Sequence, residues 1–358
     1  MIQLPSNSLL SLANAFPTAV RPPLGLGLAA TMPGSRPPNI NFGIGGLGLL
    51  QRAAAPTSGW TPTWPFVTER FTTFMDNLAL TDSQVADGIT KFKGVVKTLN
   101  QAYWNSDSET EHAFYIGSWA KKTHIRPPRD VDLYFLLPIE MYNRFEQYKG
   151  NKQSAILQEI KSKLLASYPL SDIKGDGPVV LAGFWTFSVE IVPAFVYDAN
   201  DRSYYVCDTK DGGKYKMTKP LHEVDAIEFA DKRNNYNVRS LVRMLKCWQA
   251  YCSVPLKSFY LELLAIDFLD QWAYKDRGYF YYDWMCRDFF AWLITKANSF
   301  VIAPGTYETM WIGDVWQSKA ELAYKRAVKA CEHEYNSREG DAGDEWQKIF
   351  GTYIPKWV

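Results

Sequence analysis

Nowhere in its 358 residues does the chain hold the run of about eighteen consecutive apolar side chains that a membrane-spanning helix needs, so no membrane span is expected. An excess of either charge is also missing. Lys plus Arg number 39 against 38 Asp plus Glu, a net charge of +1, too balanced for a protein that clamps long nucleic acid or a polybasic membrane contact. Cysteine is scarce and scattered: Cys207, Cys247, Cys252, Cys286 and Cys331 form no C-x-x-C pair, which fits reduced buried thiols in a cytosolic protein and not a disulfide scaffold. Four histidines (His112, His124, His222, His333) make no H-E-x-x-H, and none stands at zinc-ligand spacing from a cysteine, so no structural zinc is expected. What is present, 47% hydrophobic, 15% aromatic and 22% charged residues, describes a globular chain long enough for two domains or one large one.

Residues 1–60 lack Lys, Asp and Glu altogether and carry eight Pro, eight Gly and three Arg. They contribute +3, which leaves −2 for the rest. Such a stretch sustains neither helix nor strand periodicity and reads as a disordered Gly/Pro-rich extension, or as a docking segment for a partner. Within it Gly43–Gly48 spells G-x-G-x-x-G, the pattern of a dinucleotide-binding turn. Such a turn needs a strand before it, a helix after it and an acid on the next strand. Pro56, Pro62 and Pro65 intervene before the first suitable acid, Glu69, so the match carries no weight.

Regular patterning begins near Val67. Val85, Ile89, Phe92, Val96, Leu99 and Tyr103 recur at helical spacing and predict an amphipathic helix capped by Thr81 or Asp82. Strands are predicted over Ala113–Ser118 and Val131–Leu137, with a Pro127-Pro128 turn between them. A long helical stretch is expected over 140–166, two β runs over 179–187 and 189–196, a loop rich in Asp, Gly and Lys over 198–235, and helix from there to the end. The expected architecture is α+β: a mixed sheet with helices over 61–235, a helical lobe over 236–358, and a cleft between them.

Asp130-Val-Asp132 opens an apolar strand, and residues i and i+2 of a strand share a face about 7 Å apart. Carboxylates so placed suit hard cations, and a metal pair ~3.5–4 Å apart can clamp the attacking and leaving oxygens of a phosphoryl displacement. Alone, a D-x-D is common by chance. Upstream, Gly117-Ser118 ends a strand and opens a short helix, where glycine lets backbone approach a phosphate and serine supplies a hydroxyl. Lys121, Lys122, His124, Arg126 and Arg129 then form a local basic cluster. Glu190 interrupts the apolar run Phe187–Pro193, where a buried charge is costly unless paired or bound to metal. The aromatic run Tyr279–Trp284 reads as core or interface, and the Lys/Arg/Glu mixture over 317–335 as a solvated helix face.

Gly117-Ser118, Thr123, Arg126, Asp130-x-Asp132 and Glu190-Ile-Val-Pro resemble the catalytic core of polymerase-β-type nucleotidyltransferases, and more narrowly the cGAS/DncV-like nucleotidyltransferases, the oligonucleotide cyclases of bacterial anti-phage (CBASS) systems. The stretches 241–248, with Lys246, 256–264, with Ser258, Phe259 and Glu262, and 346–351 are similar to that family's helical lobe. The resemblance covers about 65–358. It implies that Asp130, Asp132 and Glu190 hold two Mg²⁺ ions, with Mn²⁺ as a substitute, and that Glu190 helps deprotonate the attacking ribose hydroxyl. It further implies that Gly117 and Ser118 cradle the donor triphosphate, that Lys246 and Ser258 reach it from the helical lobe, and that Phe259 stacks on a base while Lys257 points elsewhere. The third carboxylate is Glu where Asp is commoner in the family, and the Cys/His-rich insertion of the animal DNA sensor is absent, so activation by DNA is not implied. The implied activity is condensation of NTPs into a cyclic di- or trinucleotide in the cytoplasm, acting on an effector encoded nearby. Transfer to RNA ends, protein or a small molecule, and nucleotide sensing without turnover, are the alternatives.

Overall fold

The computed structural model describes residues 64–358; the 1–60 extension and its Gly43–Gly48 motif lie outside the described residues. Helix α1 (Val67–Leu78) is followed by α2 (Asp82–Tyr103), which starts where the sequence predicts it. Thr81 accepts from Gln84 N–H while the Gln84 side chain accepts from Thr81 N–H, a reciprocal capping box that fixes the boundary. Strand β1 (Ala113–Tyr115), the short helix α3 (Gly117–Lys121) and strand β2 (Asp130–Leu136) come next. The single helix expected over 140–166 is two: α4 (Ile139–Glu146) and α5 (Lys152–Ser167). The break follows from chemistry at the joint. Gly150 takes φ +109°, and Asn151 caps α5 by accepting from Ser154 N–H at 2.8 Å.

Strands β3 (Asp172–Asp176), β4 (Val179–Gly183) and β5 (Ser188–Asp198) follow. β3 was not expected, because its one buried residue, Ile173, leaves no alternation to detect. The loop expected over 198–235 is instead β6 (Ser203–Asp208), β7 (Lys214–Thr218) and α6 (Pro220–Arg233). Its Asp and Gly residues are turn residues between strands: Asp211, Gly212 and Gly213 all have positive φ between β6 and β7. Pro220 stands at the first turn of α6, where its missing N–H costs nothing.

The seven strands form one mixed sheet in the order β1-β2-β5-β4-β3, with β6 on β5 and β7 on β6. Only β2 and β5 run parallel, in a register that sets Asp130 opposite Ser188 and Asp132 opposite Glu190. One face of both strands, Val131, Leu133, Phe135, Val189 and Ile191, packs on α2 and α5 through Phe92, Val96, Leu99, Ile156 and Ile160. The period-2 alternation of strands therefore turns Asp130, Asp132 and Glu190 together to the other face.

The remaining chain is helical: α7 (Asn237–Tyr251), α8 (Ser258–Gln271), α9 (Tyr282–Ile294), α10 (Gln317–Tyr335) and α11 (Glu339–Phe350). A small hairpin, β8 (Phe300–Ile302) with β9 (Thr309–Trp311), interrupts what the sequence suggested was continuous helix. α1 joins this core, with Phe71 and Phe74 buried beside Trp248, Phe289 and Trp346. Each fully buried side chain of this size contributes ~1.5–3 kcal/mol. Arg70 locks α1 to the chain end: it is fully buried, pairs with Glu334 at 2.7 Å and donates to the carbonyls of Glu339, Pro355 and Lys356. The aromatic run Tyr279–Trp284 belongs to the same core or its edge, as read from sequence. Among the described residues, no helix is long and apolar enough to cross a membrane.

Candidate active site

The parallel pairing of β2 with β5 builds the acidic centre. One carboxylate oxygen from each of Asp130, Asp132 and Glu190 can be chosen so that all three lie within 4.8 Å of one another. None is fully buried. Glu190, expected inside an apolar strand, is half-buried because the alternation turns it outward. Burial first, then the charges of Asp130 and Glu190, push the Asp132 carboxyl up to about 7 against the pull of the Ser118 N–H and Lys246. Glu190 is raised by burial and by Asp130 and Asp176. Three crowded carboxylates, offering only oxygen donors, fit a hard divalent cation, whose charge would offset their mutual repulsion.

Gly117 presses against this centre. Its φ of +55° belongs to the left-handed region, and a Cβ there would sit 2.8 Å from Asp132 Cγ and closer still to Oδ2. Ile116 N–H donates to the Asp132 carbonyl at 3.0 Å, so the Gly-Ser segment is stitched to β2 beside the carboxylates. Gly117, Ser118, Asp130 and Asp132 line a cleft of about 450 Å³. Lys246, Ser258 and Phe259 line the same cleft from α7 and α8. The structure therefore brings Gly117, Ser118, Asp130, Asp132, Lys246, Ser258 and Phe259 to one cleft, with a Glu190 carboxylate oxygen within 4.8 Å of the aspartates. Lys257 turns away, its ammonium lying 5.4 Å from the Tyr260 ring centre.

The basic cluster does not act as one patch. Arg126 is spent on the carbonyls of Asp76 and Ala79. His124 stacks on Trp119, and burial with the charges of Arg243 and Lys246 lowers its pKa to about 4, so it is neutral. Lys121 is buried, its Nζ 2.8 Å from Glu223 and 2.9 Å from Glu262, and 4.6 Å from the Phe259 ring centre. Glu262 in turn lies 2.8 Å from Lys246 Nζ, which also donates to Thr123 Oγ1 at 2.9 Å. Burial alone would raise Glu262, yet the two lysines hold it down to about 2. Glu223 and the part played by Glu262 were not read from sequence, where an acid on a helix reads as solvated surface.

Comparison with known proteins agrees with this geometry. Residues 66–231 match the Second Messenger Oligonucleotide or Dinucleotide Synthetase domain family. The probable cyclic nucleotide synthase of Bacillus cereus is 23% identical over 67% of this chain and 81% of its own length. The CBASS oligonucleotide cyclase CdnC of Escherichia coli is 27% identical over 43% and 49% respectively. Over its sheet-bearing part, then, the chain is similar to second-messenger nucleotide synthetases. The fold is shared more widely: the Vibrio cholerae dinucleotide cyclase DncV superposes with a TM-score of 0.62 at 11% identity, covering 81% of this chain and 96% of its own. CdnC of E. coli, solved with ATP, gives 0.58 at 18% identity, covering 80% and 98%. The nucleotidyltransferase reading made from the two aspartates, Glu190 and the helical-lobe motifs is thus borne out.

Proposed function

We propose that this nucleotidyltransferase condenses NTPs into a cyclic di- or trinucleotide second messenger, releasing pyrophosphate, and serves a CBASS anti-phage system through an effector encoded nearby. The observation that carries the reading is the convergence of three carboxylates with the Gly117-Ser118 segment and Lys246 on one cleft. Residues 61–235 would form the catalytic core and 236–358 the helical lobe, with α1 packed on the latter. Asp130, Asp132 and Glu190 would hold two Mg²⁺ ions, which supply charge neutralisation and activation of the phosphoryl oxygens. Glu190, with its raised affinity for a proton, is suited to receive the one lost by the attacking ribose hydroxyl. Ser118 and Gly117 offer hydroxyl and backbone to the donor triphosphate; Ser258, at the start of the 14-residue α8, and Lys246 offer a hydroxyl and a positive charge from the opposite wall. Phe259 offers one aromatic face, the other side of its environment being Lys121 and the helical core. CdnC has been solved in complex with a HORMA protein, and a comparable partner is a candidate activator here.

The test is incubation with four labelled NTPs and Mg²⁺ or Mn²⁺, phosphatase treatment and mass spectrometry. A phosphatase-resistant product with the mass of two or three nucleotide monophosphates less the waters of ring closure is expected, and is lost in D130A/D132A. Pyrophosphate release only on addition of RNA would favour transfer to RNA ends. Binding of NTP without any turnover would favour a sensor.

A further inference from the structure

Lys246 does not stand alone over the cleft. It is held by two acceptors from two different segments, Glu262 Oε1 at 2.8 Å from α8 and Thr123 Oγ1 at 2.9 Å from the segment between α3 and β2. Glu262 is almost fully buried and spends its second oxygen on Lys121, the last residue of the helix that begins Gly117-Ser118. A continuous chain of charge-assisted hydrogen bonds thus runs from the Gly-Ser segment through Lys121 and Glu262 to Lys246, with Thr123 bridging Lys246 and Glu262. Glu223 of α6 closes the set on Lys121, so two lysines and two glutamates balance.

We propose that Glu262 is a positioning residue for nucleotidyl transfer: it fixes the Lys246 ammonium in register with the Gly117-Ser118 segment, so that the charge is in place when the pyrophosphate leaves. The inference rests on the nucleotidyltransferase reading above. Its logic is that a free lysine samples many rotamers, whereas one held at two points arrives ordered, and a fixed charge stabilises a transition state without reorganising. Loss of binding is not the expected signature. Replacing Glu262 by Gln adds a net positive charge beside the triphosphate, which favours the ground-state complex while the positioning is lost.

The experiment is a double-mutant cycle on the full chain, read by pyrophosphate release and by labelling of Lys246 with an amine-reactive acylating reagent followed by peptide mass spectrometry. Glu262→Gln is expected to lower kcat about tenfold with KM changed less than threefold, and to raise Lys246 labelling at least fivefold. In a Lys246→Ala background the same change should cost less than twofold further. Thr123→Val, which removes one hydroxyl from a fully buried site at nearly constant volume, should lower kcat about threefold and also vanish in the Lys246→Ala background. Additive losses, or unchanged labelling in both variants, would overturn the proposal and leave Glu262 a packing residue. Should Glu262→Gln fail to fold, Thr123→Val carries the cycle. A wild-type protein that releases no pyrophosphate would overturn the cyclase reading, while the labelling ratio would still decide whether Glu262 holds Lys246.

Discussion

Gly117→Ala separates the chemistry of the site from the stability of the fold. A Cβ at Gly117 would lie 2.8 Å from Asp132 Cγ and nearer still to Oδ2, where ordinary contact needs 3.4–4 Å. The carboxylate must then retreat by roughly 1 Å, and a displacement of that size at a reacting centre costs about 100-fold in rate. The substitution also places an alanine at φ +55°, a left-handed conformation that costs ~1–2 kcal/mol. These two effects can be separated, because Gly177 has φ +57° with no heavy atom within 4 Å of the corresponding Cβ. Gly177→Ala should therefore lose the same ~1–2 kcal/mol in urea denaturation and keep its turnover, whereas Gly117→Ala should lose about 100-fold in pyrophosphate release at saturating NTP. If Gly117→Ala kept more than a third of wild-type turnover, or if Gly177→Ala lost as much, the claim that Gly117 exists to let backbone touch the Asp132 carboxylate would be wrong.

Because Asp132 takes up its proton near pH 7, binding of Mn²⁺ should release about half a proton at pH 7 and weaken up to tenfold per pH unit below it; calorimetry in buffers of different ionisation enthalpy reads this, and proton-independent binding refutes it. Arg70→Ala leaves Glu334 buried without its partner and frees the last carbonyls of the chain, so the urea midpoint at pH 8 should report a loss of ~3–5 kcal/mol; a loss under about 1 kcal/mol would show the pair to be dispensable. His124 has its pKa lowered to about 4, so the unfolded chain takes up a proton below about pH 6.5 that the folded chain refuses. Its contribution is present above pH 6.5 and is lost as pH falls towards 4, by up to ~3 kcal/mol; His124→Asn should flatten the pH dependence of stability in that window relative to wild type.

How much of this could be read from the chain depends on the range over which each signal acts. The helix start at Thr81 or Asp82, the Gly117-Ser118 pair and the Asp130-x-Asp132 spacing are local patterns, and each sits in the structure where the pattern put it, with Thr81 as the cap. The expected loop over 198–235 failed for the converse reason: its Asp, Gly and Lys content reads as a loop, but the turn at Asp211, Gly212 and Gly213 between two strands has the same composition as a loop without strands. β3 was missed because an edge strand with one buried residue has nothing to alternate. The helix expected over 140–166 ignored Gly150, whose φ of +109° interrupts a helical path, and Asn151, which caps the next helix.

The site itself illustrates the limit most sharply. Asp132 and Glu190 are 58 residues apart in sequence, and nothing in either strand states that β2 and β5 pair in parallel; the family resemblance supplied that adjacency, and the register Asp132 opposite Glu190 then made the triad. The same distance hides Glu262. Placed on a 14-residue helix among Leu261, Leu263 and Leu264, it looks like the polar side of an apolar segment, yet it is buried. A buried carboxylate is tolerable only where cations meet it, so its burial requires Lys121 and Lys246, and those two come from opposite walls of the cleft. The electrostatic cost of burying one acid thus ties the phosphate-facing segment to the helical lobe, and the residues that fix the cleft's geometry are ones whose charge has no meaning until both walls are in place.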